Sequence, residues 1–148
     1  MKLVAARAED AERLARILGD WVRETPWMPC LHSREEDLAH LEMMIRRFEV
    51  LCASTWKGPQ GFLARDGDMV HSLYLAPGAR GRGYGSRLLG AAKARSERLQ
   101  LWCFQSNEGA RRFYAREGFV EVELTDGGGN DEGLPDVRLI WPGPEEAA

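Results

Sequence analysis

The segment that most limits how this chain can fold is the ten-residue run 76–85, which reads APGARGRGYG. It follows a segment of apolar, β-forming residues, 69–75, and it precedes a segment, 86–95, in which leucine and alanine recur at helical spacing. A loop that leaves a strand and opens a helix presents unpaired backbone N–H groups at the positive end of the helix dipole. Glycine lets a ligand approach those groups, so the run predicts a phosphate-binding loop.

The charges of this loop support the same interpretation. Arg80 and Arg82 place two positive charges in the loop of a chain whose net charge is -3. A dinucleotide fingerprint starting at Gly81 would need glycine where Ser86 stands, and it belongs to a parallel βαβ unit, whereas this strand ends an antiparallel meander. A nucleotide P-loop would need Gly-Lys-Ser or Gly-Lys-Thr, which the sequence does not contain. The loop therefore predicts a pyrophosphate cradle of another kind.

Apolar periodicity and turn residues predict further strands and helices along the rest of the chain. Ser33, with Glu36 three residues later, forms a capping box that starts the second helix, and Gly118 ends the fourth. A turn is predicted over 57–60. The strands are predicted at 3–6, 48–56, 61–64, 69–75, 99–104, 119–124 and 137–141, and the helices at 9–24, 33–47, 86–95 and 106–117.

Length and composition limit the class of protein. A chain of 148 residues with 44% hydrophobic and 29% charged residues is typical of one folded globular domain. The slightly negative net charge argues against a surface built for nucleic acid or an anionic membrane. The N-terminus lacks the apolar run of a secretory signal and no stretch reaches about 18 apolar residues, so a cytoplasmic location is expected. The acidic segment 142–148 is expected to be a frayed tail.

Cysteine and histidine positions give little sign of redox or metal chemistry. Cys30, Cys52 and Cys103 form no C-x-x-C pair, and they are expected to be buried free thiols in a reducing compartment. His32 and His40 have no cysteine or carboxylate in ligand register, so no metal site is predicted. Cys103 lies on a predicted strand and is not expected to act as a nucleophile.

A second pattern lies in the predicted helix 106–117, where Asn107, Ala110 and Tyr114 share one face. If that face borders a cleft beside the glycine-rich loop, the carboxamide of Asn107 can bond to the amides of a ligand, and the phenol of Tyr114 can approach its reactive end. The same spacing fits a structural role, in which Asn107 caps the helix and Tyr114 is a core aromatic residue. Both interpretations stay open at this point.

Both patterns resemble sequence motifs of the GNAT superfamily of N-acetyltransferases. Residues 80–85, RGRGYG, match the acetyl-CoA signature Q/R-x-x-G-x-G/A, and residues 107–119 match a second motif, N-x-x-A-x-x-F/L-Y-x-x-x-G-F, over its full length. The resemblance implies an α+β (α/β) fold, the GNAT acyl-CoA N-acyltransferase fold. That fold has a mixed, mostly antiparallel sheet of six to seven strands flanked by about four helices, and here it is expected as a single domain over 1–148.

By this resemblance the chain is expected to be an acetyl-CoA-dependent N-acetyltransferase with no metal. Tyr114 would donate a proton to the departing coenzyme A thiolate, and a backbone N–H near Leu75 would bind the thioester oxygen. The residues implied in binding the cofactor come from the strand end, the loop and the second motif: Leu73, Tyr74, Leu75, Arg80, Gly81, Arg82, Gly83, Tyr84, Gly85, Ser86, Asn107 and Tyr114.

The acceptor and its base are less defined by the sequence. Direct attack needs a neutral amine, and a primary amine with a pKa of about 10 is mostly protonated at neutral pH. His71, on the strand that leads to the loop, is the candidate base, and an exposed or structural strand histidine fits that position equally well. The resemblance places the acceptor beside Trp27, Met28, His32 and the loop 126–136, which are candidate substrate-binding walls or, alternatively, core and solvated residues.

Three functions fit these observations. The first is acetylation of a primary amine of a small molecule, the second is acetylation of a protein or peptide amine, and the third is a non-catalytic acyl-CoA-binding module. Asn107 and Tyr114 favour the first two over the third. No nucleic-acid or membrane partner is expected, and a homodimer through the late strands is an expectation by analogy with the family.

Overall fold

A computed structural model describes residues 1–144 of the chain; the last four residues of the predicted tail lie outside this range. The structure is a seven-stranded sheet with four α-helices, which confirms the fold class. The strands are β1 (Lys2–Ala5), β2 (Glu49–Thr55), β3 (Gly58–Asp66), β4 (Met69–Leu75), β5 (Leu99–Phe104), β6 (Val120–Leu124) and β7 (Asp136–Trp141). The helices are α1 (Ala11–Glu24), α2 (Arg34–Arg47), α3 (Tyr84–Ala94) and α4 (Glu108–Arg116).

The strands lie in the order β1-β2-β3-β4-β5-β7-β6. All neighbours are antiparallel except β4 and β5, which are parallel and pair only at Met69 with Gln100 and at Val70 with Leu101 in the described residues. Within residues 1–144, the rest of β4 and β5 has no partner on the sides that face each other. The sheet therefore has a gap between the carboxyl ends of its two central strands.

Two hydrophobic cores lie on opposite faces of this sheet. One packs α3 and α4 against the strands, and its fully buried residues include Leu88, Leu89 and Leu139. The other packs α1 and α2, and includes Leu14 and Phe62. Because the apolar stripes of the helices cover both faces, the gap between β4 and β5 is the place where a ligand can enter the sheet.

The sequence predicted a turn over 57–60, but Gly58 and Pro59 lie inside β3. The connection is reduced to residues 56–57, followed by Gly58 with a φ of +96°. Proline lacks an N–H and is tolerated where a strand has no neighbour on one side. Here β4 pairs with β3 only from Gly61 onward, so the missing N–H faces no strand.

The expectation that all three cysteines are buried is wrong for one of them. Cys52 and Cys103 are buried and free, whereas Cys30 is free and exposed. Cys30 follows Pro29 in the segment between α1 and α2, which runs over the surface because its prolines prevent a helix. In residues 1–144 no helix has both the length and the apolar character needed to cross a membrane.

Candidate active site

The glycine-rich loop ends at the first turn of α3. Gly83 is the N-cap residue with a φ of +80°, and Gly81 has a φ of +72°, backbone conformations that favour glycine. The first helical hydrogen bond runs from the N–H of Arg87 to the carbonyl oxygen of Gly83, over 3.1 Å. The N–H groups before Arg87 in this turn therefore have no partner within the helix.

The space in front of this turn is open. A Cβ atom built on Gly81 or Gly83 would meet no atom of the described residues within 4 Å. At Gly85, by contrast, a Cβ would lie 3.3 Å from Cζ of Phe113, so this glycine lets α3 approach α4. A phosphate group can therefore reach the first-turn N–H groups and the positive end of the helix dipole.

Arg80 and Arg82 lie exposed along the loop backbone. The Nε–H of Arg80 donates to the carbonyl oxygen of Leu75 over 3.3 Å, and the Nε–H of Arg82 donates to that of Gly78 over 3.0 Å. These bonds use the inner nitrogen of each guanidinium group, and the terminal N–H groups can still bind an anion. The loop thus combines backbone donors with two positive charges.

At the end of β4, backbone N–H groups point into the gap. Pairing with β5 stops after Val70. On the other side of β4, the N–H of Ala76 donates to the carbonyl oxygen of Gln60 over 2.8 Å. Because the direction of hydrogen bonding alternates along a strand, the N–H groups of Leu73 and Leu75 face the gap. A ligand that runs from the glycine-rich loop into the gap would meet both.

Helix α4 begins close to the end of β5. Asn107 is its N-cap residue, and its Oδ1 accepts a hydrogen bond from the N–H of Ala110 over 3.2 Å. This is the structural role that the sequence left open, and it occupies only the oxygen of the carboxamide, so the Nδ2 amino group can still donate to a ligand. The hydroxyl of Ser86 donates to Glu117 over 2.9 Å, which ties the first turn of α3 to the end of α4.

Tyr114 is 8% exposed and packs between Phe113 and Phe119, whose ring centroids lie 5.2 and 5.4 Å from its own. Burial raises the pKa of Tyr114 well above its ordinary value, and the nearby Cys103 and Tyr74 raise it further. The phenol is therefore protonated throughout the neutral pH range, which is the form that donates a proton. The position is compatible with both a core role and a donor role.

Cys103 lies on β5 near Tyr114. Burial raises the pKa of Cys103 to about 11. Since the thiolate is the reactive form, this thiol is a weak nucleophile at neutral pH. Within residues 1–144, no group of three or more His, Cys, Asp or Glu side chains is placed to hold a metal ion.

Four aromatic side chains lie beside the gap on the face of the sheet that carries α1 and α2. This aromatic group consists of Trp21, Trp27, Tyr74 and Phe104, all of them half-buried. Ring centroids lie 5.9 Å apart for Trp21 and Trp27, 5.3 Å for Trp21 and Tyr74, and 5.9 Å for Trp27 and Phe104. The group thus connects the end of β4 to the end of β5 across the gap.

The 125–136 loop, between β6 and β7, is closed by its own polar groups. The N–H of Thr125 donates to the carbonyl oxygen of Asp136 over 3.0 Å, and the hydroxyl of Thr125 donates to the carboxylate of Asp136. Nδ2 of Asn130 donates to the carbonyl oxygen of Leu134 over 2.8 Å and to Asp136 over 3.2 Å, while its Oδ1 accepts from the N–H of Leu134. A Cβ on Gly127 would collide with the backbone of Leu134. The loop is therefore a compact, bonded unit.

A cavity of about 470 Å³ lies between this loop and β5. Its walls include Trp102 and Phe104 from the strand and Asn130 and Glu132 from the loop. Burial raises the pKa of Tyr74 to about 12, and the negative charge of Glu132 contributes to this rise. The cavity therefore extends to the aromatic group, because Phe104 belongs to both and Glu132 is close to Tyr74.

The predicted substrate-binding residues separate in the structure. Trp27 belongs to the aromatic group and Met28 follows it, half-buried. His32 is exposed, and its Nδ1 lies 3.8 Å from the carboxylate of Glu36 at the start of α2. The structure therefore brings Trp27 and the 125–136 loop to the gap, and it places His32 beside α2 instead.

His71, the predicted base, lies at the other end of β4. Its ring stacks on Phe48, with centroids 4.7 Å apart and 10° between the ring planes, and its side chain is exposed. At about 3.3 Å per strand residue, it is roughly 13 Å along the strand from Leu75. The structure does not bring His71 next to Tyr114.

Sequence reasoning missed two residues of this site, Trp21 and Phe104, and did not single out Glu132 within the predicted loop. Trp21 continues the apolar spacing of α1, so the sequence indicates a core residue at this position. Nothing in the sequence places it against Tyr74. Phe104 ends a predicted strand next to Cys103. Glu132 is one of four carboxylates in the 125–136 loop, and only the folded loop shows that Glu132 and Asp136 line the cavity.

Comparison with known proteins gives a family and a fold. The family model described as an acetyltransferase (GNAT) domain matches residues 48–121. A curated relative, an uncharacterized N-acetyltransferase of Methanocaldococcus jannaschii, is 40% identical over 63 residues, which cover 39% of this chain and 28% of the relative. The match thus spans a little over a quarter of that relative's length.

Solved structures share the fold over nearly the whole chain. The apo form of YjaB from Escherichia coli is 23% identical, with a TM-score of 0.79, and the match covers 97% of this chain and 98% of that one. A GNAT superfamily phosphinothricin acetyltransferase from Sinorhizobium meliloti, solved in complex with AcCoA, is 20% identical with a TM-score of 0.75, covering 97% and 89%. At these identities the two structures establish the similarity of fold.

Proposed function

Because the chain belongs to the GNAT acetyltransferase family, we propose that it transfers an acetyl group from acetyl-CoA to the primary amine of a small molecule, by direct attack in a ternary complex. The observation that supports this proposal is the order of three features: the open first turn of α3, the gap between β4 and β5, and the aromatic group with its cavity. The first of these suits phosphates and the last suits an organic acceptor.

Beside the glycine-rich loop, the groups that we propose bind the cofactor already point away from the protein core. The first-turn N–H groups of α3, with Arg80 and Arg82, would hold the pyrophosphate of coenzyme A. Along the gap, the N–H groups of Leu73 and Leu75 and the Nδ2 of Asn107 would bind the amide and carbonyl oxygens of its arm. Acetyl-CoA supplies the activated acetyl thioester, and the chain supplies orientation and hydrogen bonds.

Tyr114 is proposed as the proton donor to the departing thiolate. Its hydroxyl is protonated at neutral pH because burial raises its pKa. A coenzyme A thiol has a pKa of about 8.5, below that of a phenol, so the thiolate is the weaker base of the pair and proton transfer from Tyr114 to sulfur is uphill. The raised pKa of Tyr114 therefore limits the role to donation of a proton or hydrogen bond once charge has developed on sulfur.

His71 stays a prediction as the base. Its distance along β4 from Leu75 means that it would act through water rather than by direct contact with the amine. Replacement of His71 by Gln should lower kcat/KM below the pH at which the amine itself loses its proton, and should have little effect above it. An equal effect at all pH values would assign a structural role to His71.

The shape of the cavity between β5 and the 125–136 loop favours a small-molecule acceptor. The cavity is bounded by β5 on one side and the bonded 125–136 loop on the other, and its volume of about 470 Å³ suits one small organic molecule. A peptide acceptor would need an open groove for several residues. Peptides are therefore the alternative that an acceptor panel has to test.

The experiment is a thiol-release assay with acetyl-CoA and a panel of amines, amino acids and short peptides. A double variant, Arg82→Glu with Gly83→Trp, serves as the control because it reverses a charge and fills the space before α3. Thiol release with a small amine that is abolished in the control would support the proposal. Faster release with peptides would favour the peptide alternative, and acetyl-CoA binding without release on any acceptor would indicate a non-catalytic binding module.

A further inference from the structure

The 125–136 loop contains four carboxylates, and the structure separates their roles. Both carboxylate oxygens of Asp136 are bonded, one to Thr125 and one to Asn130. The carboxylate of Asp126 accepts the N–H of Gly128 over 2.9 Å, on the exposed side of the loop. These two acids serve to fold the loop.

The remaining two acids differ in position. Asp131 is exposed, whereas Glu132 is half-buried and lines the cavity. In residues 1–144, the carboxylate of Glu132 forms neither a hydrogen bond nor an ion pair with another residue. A partly buried carboxylate without a partner is costly unless a ligand cation or water satisfies it. Glu132 is thus the acid of this loop that is free to contact a ligand.

The cavity that Glu132 lines is aromatic on its strand side and polar on its loop side, where Thr125, Asn130 and Asp136 also line it. Phe104 and Trp102 form the strand side of the cavity, and Tyr74, whose pKa responds to the charge of Glu132, leads to Trp21 and Trp27. Aromatic faces attract cations and bury apolar carbon, so they favour a protonated amine on an apolar skeleton. The same carboxylate repels a ligand that carries its own carboxylate beside the amine.

We propose that Glu132 pairs with the ammonium group of the acceptor before transfer, and that the aromatic group holds the acceptor's carbon skeleton. The acceptor is accordingly an apolar or arylalkyl primary amine with no carboxylate next to the amine. This inference rests on the proposed acetyl transfer and names its substrate class. Glu132 acts as a specificity-determining residue, and the proton that leaves the ammonium is taken up by water or a base before nitrogen attacks.

The test compares Glu132→Gln with Asp131→Asn, which removes the same charge from the neighbouring, exposed position. The probe acceptors are phenethylamine, ethanolamine, phenylalanine and phenylalanine amide. The wild-type protein should favour phenethylamine over ethanolamine, and phenylalanine amide over phenylalanine. Glu132→Gln should raise the KM for phenethylamine by about ten- to a hundredfold, leave the KM for acetyl-CoA unchanged, and narrow the difference between phenylalanine and its amide. Asp131→Asn should behave as the wild type does.

Two kinetic results would overturn the inference. One is an equal KM for phenethylamine in Glu132→Gln and Asp131→Asn, and the other is a wild-type preference for ethanolamine or phenylalanine. Binding is measured separately from turnover by intrinsic tryptophan fluorescence, to which Trp21, Trp27 and the cavity residue Trp102 contribute, during titration with phenethylamine, with and without coenzyme A. If the wild-type protein binds phenethylamine, Glu132→Gln weakens this binding, and no acetyl transfer occurs, the inference is supported and the proposed function is contradicted. Absence of binding to the wild-type protein would overturn the inference.

Discussion

The two sides of the gap between β4 and β5 are built from different parts of the chain. On the loop side, the binding groups come from one short run, 76–86: backbone N–H groups, whose direction depends on two glycines with positive φ, and the side chains of Arg80 and Arg82. On the cavity side, they are side chains from α1, the segment after it, β4, β5 and the 125–136 loop. The loop side therefore depends on backbone conformation and two arginine side chains, whereas each side chain on the cavity side affects which ligand fits.

This difference explains why a sequence motif identifies the loop side and no motif identifies the cavity side. A backbone site needs particular residue types at fixed spacing, because only glycine accepts the required conformation easily. A side-chain site requires only that the fold bring its members together. We therefore expect variants on the loop side to change cofactor binding alone, and variants on the cavity side to change acceptor use alone.

The largest effect is expected at Tyr114, the proposed proton donor. Replacement of Tyr114 by Phe keeps the buried ring and removes the proton donor, so kcat should fall by about 10²- to 10⁴-fold. The KM values of acetyl-CoA and of the acceptor should change little. Steady-state kinetics measures all three quantities, and thermal unfolding shows whether the fold is intact. An unchanged kcat would assign Tyr114 to the core alone.

The next largest effect is expected at Gly83. Replacement by Val forces a β-branched residue to a φ of +80°, at a cost of about 1–2 kcal/mol of stability, and places methyl groups in front of the α3 N–H groups. The Kd of acetyl-CoA, measured by calorimetry, should rise by about tenfold or more, which corresponds to about 1.4 kcal/mol.

A matched glycine in the same helix gives the control for Gly83. Gly90 is exposed inside α3, and a Cβ there meets no described atom within 4 Å. Its replacement by Ala should raise the free energy of unfolding by about 0.5–1 kcal/mol and leave acetyl-CoA binding unchanged. Equal losses of binding in the two variants would show that the loop side does not depend on the conformation of Gly83.

A smaller effect, confined to the cavity side, is expected at Asn130. Its carboxamide makes three hydrogen bonds that close the 125–136 loop. Replacement by Ala should raise the acceptor KM by about tenfold, since it removes bonds worth about 1 kcal/mol each, and leave the Kd of acetyl-CoA unchanged. A parallel rise in that Kd would mean that the two sides are coupled.

The smallest effect is expected from the titration of Tyr74. Its pKa is raised from 10.0 to about 12, so the folded state keeps this proton after the unfolded chain has lost it. The contribution to stability is complete below pH 10 and is lost as pH rises through about 12. Urea unfolding of Tyr74→Phe between pH 9 and 12 should show a shallower loss of stability with pH than the wild type. An identical slope would contradict the burial of this phenol.

The sequence predicted most of the fold because local signals decided it. The capping box at Ser33 and Glu36 sets the start of α2, and the glycine at 118 ends α4 with a φ of +91°. Where local signals failed, tertiary context prevailed: Pro59 reads as a turn residue, but it enters β3 because β4 stops short of it.

The candidate site divides in the same way, into residues that local motifs predict and residues whose surroundings depend on the fold. The glycine-rich loop and the proposed role of Tyr114 come from contiguous motifs, and the structure places the loop before α3 and packs Tyr114 between Phe113 and Phe119. His71 and His32 were selected for chemistry and chain position, and the structure stacks one on Phe48 and places the other beside Glu36. Glu132 could not be separated from its neighbouring acids, because their roles depend on hydrogen bonds within the folded loop.

The central claim is that a coenzyme A thioester lies from the first turn of α3 into the gap between β4 and β5. The most direct test is an amide-resolved NMR titration of the protein with acetyl-CoA. The N–H signals of Gly83 to Ser86, Leu73 and Leu75 should shift together at saturation, while those of β1 stay in place. Shifts that leave the α3 turn and the end of β4 unaffected would contradict the account.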